Sequence, residues 1–464
     1  MAKKKSKGRK TASKKSTTRK PAAKNRKSTV KKPALSRKIK VVAYCDSPTC
    51  ATGFGTVSRN IFEGLHKAGK YEIDILGINY WGDPHDFPYR IWPTGTNKES
   101  DPYGRQKVVN MIPRMDFDIL FFMQDSFILN FLPTLMPHLK QRPKPFGSIC
   151  YYPIDSIIKE KWANNINHID NLVAYCEFGK QETLKALPDR TDISVIPHGV
   201  NTREYFPVPK DQMMKFRNQY FGPKADHFIV TNLNRNQPRK DIPRTIMAFK
   251  KFREIVPNSL LYLHMAINDQ GWNLGEVCKN MGFDASQDVI FPQNFGPNQG
   301  YPREVVNMIY NASDVITSTT LGEGFGLAWI EAMAARVPVV MPNNTAMTEF
   351  ITEDRGYLVD SGSNSSLYTI IGSDNEVLRY LTDVDDLVDK WVHIYKNREE
   401  AKQKAENAYK WVMKEMDWQK GIVPHWISLF DKVYAELQRK DEEVKSIIDD
   451  IGQEDSNIIE AEEI

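Results

Sequence analysis

The strongest constraint on the fold is a pattern that the sequence writes twice. Each copy has a short, nearly uncharged apolar run, then a loop of turn-forming or polar residues, then apolar residues at helical spacing. In the first copy, residues 39–45 form the run. Ser47, Pro48, Thr52, Gly53 and Gly55 follow it, and Val57, Ile61, Leu65 and Ala68 recur at intervals of three and four. In the second, residues 227–234 are followed by the polar loop 235–240 and by helix-patterned residues 245–255. Asp241 is placed to cap that helix, and Pro243 sits in its first turn. Further runs at 71–78, 118–123, 146–152 and 171–175, then at 260–266, 288–291, 315–318 and 337–341, predict strands, with helical stretches between many of them. Strands joined in this way belong to parallel sheets covered on both faces. The expected class is α/β: two Rossmann-like, doubly wound domains joined near 200–225 and facing a central cleft, a usual place for a ligand.

The charge distribution sets off both ends. The net charge of +5 hides eighteen Lys and Arg without a single Asp or Glu in residues 1–40, against ten Asp and Glu and one Lys in residues 441–464. The body between them is mildly acidic. Residues 1–38 have no periodic apolar face and bury too little surface to offset chain entropy, so they read as a disordered basic tail. Two readings of that tail stand side by side: a solubilising or targeting segment, and a tether to a polyanion, most naturally nucleic acid. It has no aromatic residue with which to stack on bases. The expected boundaries are a domain over 39–205, a second over 206–420, a helix over 421–440 packing back on the first domain, and an acidic, frayed tail over 441–464. The five cysteines form no CxxC pair and are odd in number, which fits reduced thiols in a soluble intracellular protein, whether cytoplasmic, nuclear or virion-associated. No apolar run approaches the ~18 residues of a membrane span, and the N-terminus has no secretory apolar region.

The segment Glu323-Gly-Phe-Gly-Leu-Ala-Trp-Ile-Glu331 carries the most chemistry. Gly324 and Gly326 precede an apolar helix, and glycine lets a backbone turn sharply and approach a ligand. Free N–H groups at the start of a helix receive phosphate oxygens. Glu331 is the sole charge in an otherwise apolar helix and needs partners, for which the paired hydroxyls of a ribose are suited. Glu323 lies on the ligand side of the glycines, where it can hold sugar hydroxyls. The plain alternative is a glycine-punctuated turn with a solvent-facing Glu323 and an ion-paired Glu331.

In its wider setting, Thr319 to Val340 resembles the signature of the family-4 retaining glycosyltransferases, whose fold is GT-B. Three other stretches, in order, share the resemblance: the Gly53-Phe-Gly55 loop, Tyr175-Cys-Glu-Phe-Gly-Lys180, and Val195-Ile-Pro-His-Gly-Val-Asn201 as the interdomain segment. The strand, basic loop and helix at 229–249 sit where the family places its phosphate-binding Arg and Lys. The resemblance covers about residues 39–430. It implies an acceptor domain followed by a nucleotide-sugar donor domain, with a UDP- or GDP-sugar as co-substrate and no resident cofactor. Glu323 would hold the donor sugar and Glu331 the ribose. Gly324, Phe325, Gly326 and Leu327 would form the donor loop, the last three presenting N–H groups. Arg235 and Lys240 would neutralise the leaving diphosphate, with Arg239 a rival for one of those places. Gly53, Phe54 and Gly55 would close over the phosphates. Asp155, at the end of a strand, is either a sugar or acceptor contact or a turn residue, and His198 is a hinge or turn residue.

The sequence also departs from that pattern. Arg336 stands where the family commonly has Gly, and Pro342–Ala346 replaces a glycine-rich loop, with Glu349 left as the candidate for a later acidic position. The strings Asp116-Phe-Asp118 and Asp383-Val-Asp385 resemble metal-holding DxD motifs, but one abuts a strand start and the other lies among helix-forming residues; no metal is expected. A second class remains open on the basic tail: a nucleic-acid-binding protein on an inactive scaffold, or a transferase whose acceptor is DNA or another polyanion-associated target. No lysine motif of a cofactor-dependent phosphorylase is present.

Overall fold

The computed structural model describes residues 37–96, 100–284, 287–296, 300–372 and 374–462, with side chains to residue 444. The basic tail, up to residue 36, lies outside the described residues. The first domain holds seven parallel strands: β1 (Ile39–Asp46), β2 (Tyr71–Ile78), β3 (Arg90–Pro93), β4 (Ile119–Met123), β5 (Gly147–Tyr152), β6 (Asn171–Ala174) and β7 (Ser194–Val195). Their order is β3-β2-β1-β4-β5-β6-β7. The second holds β8 (Phe228–Leu233), β9 (Ser259–His264), β10 (Val289–Ile290), β11 (Val315–Thr317), β12 (Val339–Pro342) and β13 (Tyr357–Val359), ordered β10-β9-β8-β11-β12-β13. β1, β4 and β8 are buried along nearly their whole length, as central strands covered on both faces must be. This is the α/β, doubly wound pair that the repeated pattern implies.

The sequence did not mark β3, β7, β13 or an antiparallel hairpin of β14 (Tyr368–Ile370) and β15 (Leu378–Tyr380). All are two to four residues long, too short for a periodicity to register. The Gly53-Phe-Gly55 loop is also corrected: it is the first turn of helix Gly53–Lys67, with Thr52 Oγ1 accepting from Gly55 N at 2.9 Å. A side chain at Gly55 would strike the Cys50 and Ser47 carbonyls, so the glycine serves packing. Asp241 takes the cap position of helix Ile242–Ile255 at φ +44°, but its side chain makes no cap bond and pairs with Arg244 instead.

The chain crosses between the domains twice, and the two crossings are bonded together. Val200 N donates to Met416 O at 2.8 Å, Trp418 N donates to Val200 O at 3.1 Å, and Thr202 Oγ1 donates to Asp417. Asp417 also accepts from Gln419 N and Lys420 N, which ends one π-helical turn and starts the next. The following helix runs Val423–Glu462. It lays Trp426 and Phe430 on Phe121, and Trp426 also on Tyr151. It meets Gly64 through Val423 and Gly147 through Val433 at spacings that only glycine allows. Residues 441–462 continue this helix where fraying was expected. Among the described residues no helix is long and apolar enough to cross a membrane.

Candidate functional site

The loops at the C-terminal ends of the two sheets meet across the cleft. Pro153 and Asp155, just past β5, lie against Gly324 and Gly322, just past β11, so closely that an added Cβ would fall 2.6 Å from Pro153 Cβ and 2.0 Å from the Asp155 carbonyl. The glycine expected to admit a ligand's backbone approach, Gly324, therefore also admits the facing domain. Gly326 sits at φ +87°, a conformation that favours glycine, and turns the chain into helix Leu327–Ala334. Phe325 faces inward, packed on His198, Trp329 and Phe350, so its side chain is core and only its backbone is available to a ligand. Leu327 lies opposite Gly53, and Phe54 packs edge-on to Tyr175.

Glu323 lies between two cations. Lys240 Nζ bonds its Oε1, and Arg239 Nη1 lies 3.3 Å from Oε2. Burial alone would raise its pKa, but Lys240 and then Arg239 hold it at about 2. Burial and the adjacent Arg239 press Lys240 down to about 8. Arg239 Nε also reaches Asp155 at 3.2 Å, and Arg379 Nη1 meets the same carboxylate at 2.9 Å. Arg379, on β15, is almost fully buried and is held from behind by Asp374 at 2.8 Å. Thus the structure gathers Glu323, Lys240, Arg239 and Asp155. Arg235 it places elsewhere, in a two-pronged pair with Asp269 at 2.9 Å, with its side chain nearly half exposed.

Glu331 sits one helical turn behind the loop. Tyr310 donates to its Oε2 at 2.7 Å, and Tyr205 is also in reach. Burial lifts its pKa to about 7 against the pull of those two hydroxyls. On the first domain, Asp125, just past β4, faces the cluster; burial and the charge of Asp155 lift it to about 7. His198 Nδ1 pairs with Tyr151 OH at 2.7 Å, and burial pushes it down to about 3, so it is a neutral packing group beside the hinge. Glu349 does not reach the cluster: its carboxylate accepts from Glu177 N and Phe178 N and so caps helix Glu177–Ala186 of the other domain. The Asp-x-Asp strings are engaged elsewhere too. Asp116 pairs with Lys40 and Lys144 at the far end of the first sheet, Asp383 caps helix Val384–Lys396, and Asp385 pairs with Lys251.

Sequence reasoning missed Arg379, Asp125, Tyr205 and Tyr310. No local signal marks a lone arginine on a three-residue strand, or tyrosines that matter only because Glu331 lies between them. Departure at Arg336 proves structural: it adopts φ +61°, the conformation that favours glycine, and is held by Glu406 at 2.9 Å and by the ring of Tyr409.

Two parallel-sheet Rossmann-like domains meeting at the C-terminal ends of their strands, with a glycine-turned helix start and basic residues at the junction, define the GT-B fold. Within it, residues 280–373 match the family described as glycosyl transferases group 1. Among curated relatives, it is 26% identical over 216 residues to the GDP-mannose-dependent alpha-(1-6)-phosphatidylinositol monomannoside mannosyltransferase of Mycolicibacterium smegmatis, over 44% of this chain and 53% of that one. It spans about half the length of the curated relatives it matches first. Among solved structures, sucrose-phosphate synthase from Thermosynechococcus elongatus aligns with a TM-score of 0.69 at 17% identity, covering 86% of this chain and all of that one. Anabaena HepE in complex with UDP-glucose aligns at 0.62 and 15% identity, covering 85% and 100%. At these identities the solved structures establish the shared fold.

Proposed function

We propose that this protein is a glycosyltransferase that moves a sugar from a UDP- or GDP-sugar to an acceptor hydroxyl, without a metal and with retention at the anomeric carbon. The observation that carries the reading is Glu323, a buried carboxylate held by Lys240 and Arg239 beside the N-terminus of helix Leu327–Ala334, at the junction of the two sheets. Those cations and the free N–H groups suit a diphosphate, and Glu323 is an acceptor-only group suited to sugar hydroxyls. Glu331 takes the ribose, with Tyr205 and Tyr310 setting its orientation. Arg239 replaces Arg235 as the partner of Lys240 in neutralising the leaving group.

In the proposed reaction the bond between the anomeric carbon and the phosphate oxygen breaks, and the nucleoside diphosphate leaves with that electron pair. The acceptor oxygen attacks from the same face, and its proton passes to the departing phosphate. The protein's part is charge stabilisation, positioning and exclusion of water. That one relative is named for a GDP-mannose donor, and that one neighbour was solved in complex with UDP-glucose, supports both donor classes. The test is a thermal-shift screen of UDP- and GDP-sugars, with release of the nucleoside diphosphate as second readout; a donor at 100 times its Kd stabilises by ~2.7 kcal/mol. If no sugar nucleotide shifts the melt or is turned over, the proposal fails.

The eighteen basic residues of 1–40 support a second reading, in which this segment tethers the protein to nucleic acid or another polyanion near its acceptor. Salt-sensitive DNA binding that survives deletion of residues 1–38 would refute it.

A further inference from the structure

Arg239 has two partners to serve in this cleft. In the ligand-free protein its Nε lies 3.2 Å from Asp155 Oδ2, and its Nη1 bonds the Gly322 carbonyl. As a cation for the leaving diphosphate it has to turn from that carboxylate to the phosphates. A carboxylate deserted by its cation in a partly buried site is costly, and the cost would weaken donor binding. Asp155 has a second cation, and its setting is unlike the first. Arg379 Nη1 donates to Asp155 Oδ1 at 2.9 Å and to the Asp155 carbonyl at 2.6 Å, while its Nε donates to Asp374 at 2.8 Å. The Arg379 side chain is 3% exposed against 22% for Arg239, so Arg379 is enclosed by the protein and Arg239 is the one that can reach a ligand. The two guanidinium groups hold opposite oxygens of one carboxylate, so one can leave without the other.

We infer that Arg379 is a positioning residue of the proposed transfer: it is the standing counter-ion of Asp155, and so frees Arg239 to change partner from Asp155 to the diphosphate when a donor enters. The inference rests on the reading of the cleft as a nucleotide-sugar site. The charges support it. Lys240, Arg239 and Arg379 face Glu323, Asp155 and Asp374, three cations to three carboxylates. When Arg239 turns to the diphosphate, Lys240 stays on Glu323, and Arg379 stays between Asp155 and Asp374. No carboxylate is stranded. Without Arg379, Arg239 is the one cation left in ion-pair reach of Asp155 among the described residues, and Asp155 holds it back from the phosphates. Arg379 stands on β15, in a hairpin that belongs to neither parallel sheet. Lys159 of the first domain ties the turn of that hairpin by bonding the Asn375 carbonyl. That tie carries no charge to Asp155, which lets the role of the counter-ion be separated from the role of the hairpin as a scaffold.

The experiment is calorimetric titration of UDP and of GDP into the full chain and its variants, each checked by a melt. Arg379→Gln is expected to weaken the nucleoside diphosphate by about tenfold, because Asp155 then competes for Arg239 without relief. The double variant Asp155→Asn with Arg379→Gln should return to within about threefold of the wild type or bind more tightly, since no carboxylate is left to hold Arg239. Arg379→Lys keeps the charge and should lose less than Arg379→Gln. Lys159→Ala unties the hairpin turn, leaves both guanidinium groups in place, and should bind within about twofold of the wild type. Rescue by the second substitution is the decisive readout, because a hairpin that has come loose is not mended by removing the charge of Asp155. Wild-type affinity in Arg379→Gln, a loss that persists in the double variant, or an equal loss in Lys159→Ala would each overturn the inference and leave the nucleotide-sugar reading standing. A wild type that binds neither UDP nor GDP would overturn both.

Discussion

Glu331 gives the most quantitative test of the donor site. Its carboxyl titrates at about 7 in the folded protein against an ordinary value of 4.5, because burial outweighs the hydrogen bonds from Tyr310 and Tyr205. Below the ordinary value both the folded and the unfolded chain keep the proton. Between 4.5 and 7 the unfolded chain releases it and the folded chain does not, so the contribution of this one group to stability falls as pH rises through that window and levels off above about 7. At 1.36 kcal/mol per tenfold change, the wild type loses roughly 2–3 kcal/mol from this one group between pH 5 and pH 8. Glu331→Gln keeps the shape and still accepts from Tyr310, but cannot ionise. Every other titrating group is common to both proteins and cancels in the difference. Urea unfolding followed by tryptophan fluorescence at pH 5, 6, 7 and 8 should therefore show the variant gaining about 2–3 kcal/mol on the wild type across the range. The same change should weaken nucleotide-sugar binding, since the neutral amide is a poorer acceptor for ribose hydroxyls. A stability difference that stays flat within ~0.5 kcal/mol from pH 5 to pH 8 would refute the argument, whatever happens to binding.

Three further outcomes are expected. Glu323→Ala and Lys240→Ala each lower turnover by more than ~10²-fold, measured as nucleoside diphosphate release, with the melting transition kept. Glu349→Ala removes the cap that one domain places on helix Glu177–Ala186 of the other. It should cost about 1–2 kcal/mol in denaturant unfolding and enlarge the radius of gyration seen by small-angle scattering, as a contact holding the cleft shut is lost. At position 336, Arg336→Gly should be more stable than Arg336→Ala by about 1 kcal/mol, because both lose the Glu406 and Tyr409 contacts but only glycine relieves φ +61°.

What could be read from the sequence follows the range of the interactions. The central strands announce themselves because burial on both faces demands apolar runs, and residues 39–45 and 227–234 are such runs. The donor segment is legible because glycine, helix start and carboxylate are adjacent in the chain. The grouping around Asp155 is not. Arg379 reaches it from 224 positions away on a short hairpin, and Gly322 touches its carbonyl from the other domain. Arg235 and Arg239 look interchangeable in a polar loop. Only the three-dimensional course of Pro238–Lys240 turns Arg239 inward and leaves Arg235 to Asp269. Glu349 has an acidic residue's sequence signal but a capping role, decided by how the two domains face each other.

Asp155 is where this geometry makes its least obvious demand. It belongs to the first domain, yet both of its cationic partners, Arg239 and Arg379, belong to the second. Its charge therefore does two opposed things. It draws the domains together, and it competes with any anion that enters the cleft for Arg239. At an effective dielectric near 20, a carboxylate ~6 Å from an incoming phosphate charge opposes it by roughly 2–3 kcal/mol, and relaxation and screening leave about half. Asp155→Asn should thus raise the affinity for free UDP or GDP by about tenfold in calorimetry. It should also loosen the ligand-free protein and lower turnover, since the charge that pulls the donor loop against β5 is gone. Tighter product binding together with slower transfer is a combination that a merely damaged site does not give. If affinity for the nucleoside diphosphate falls in parallel with turnover, Asp155 is a contact to the donor, and its pairing with Arg239 plays no part in gating the cleft.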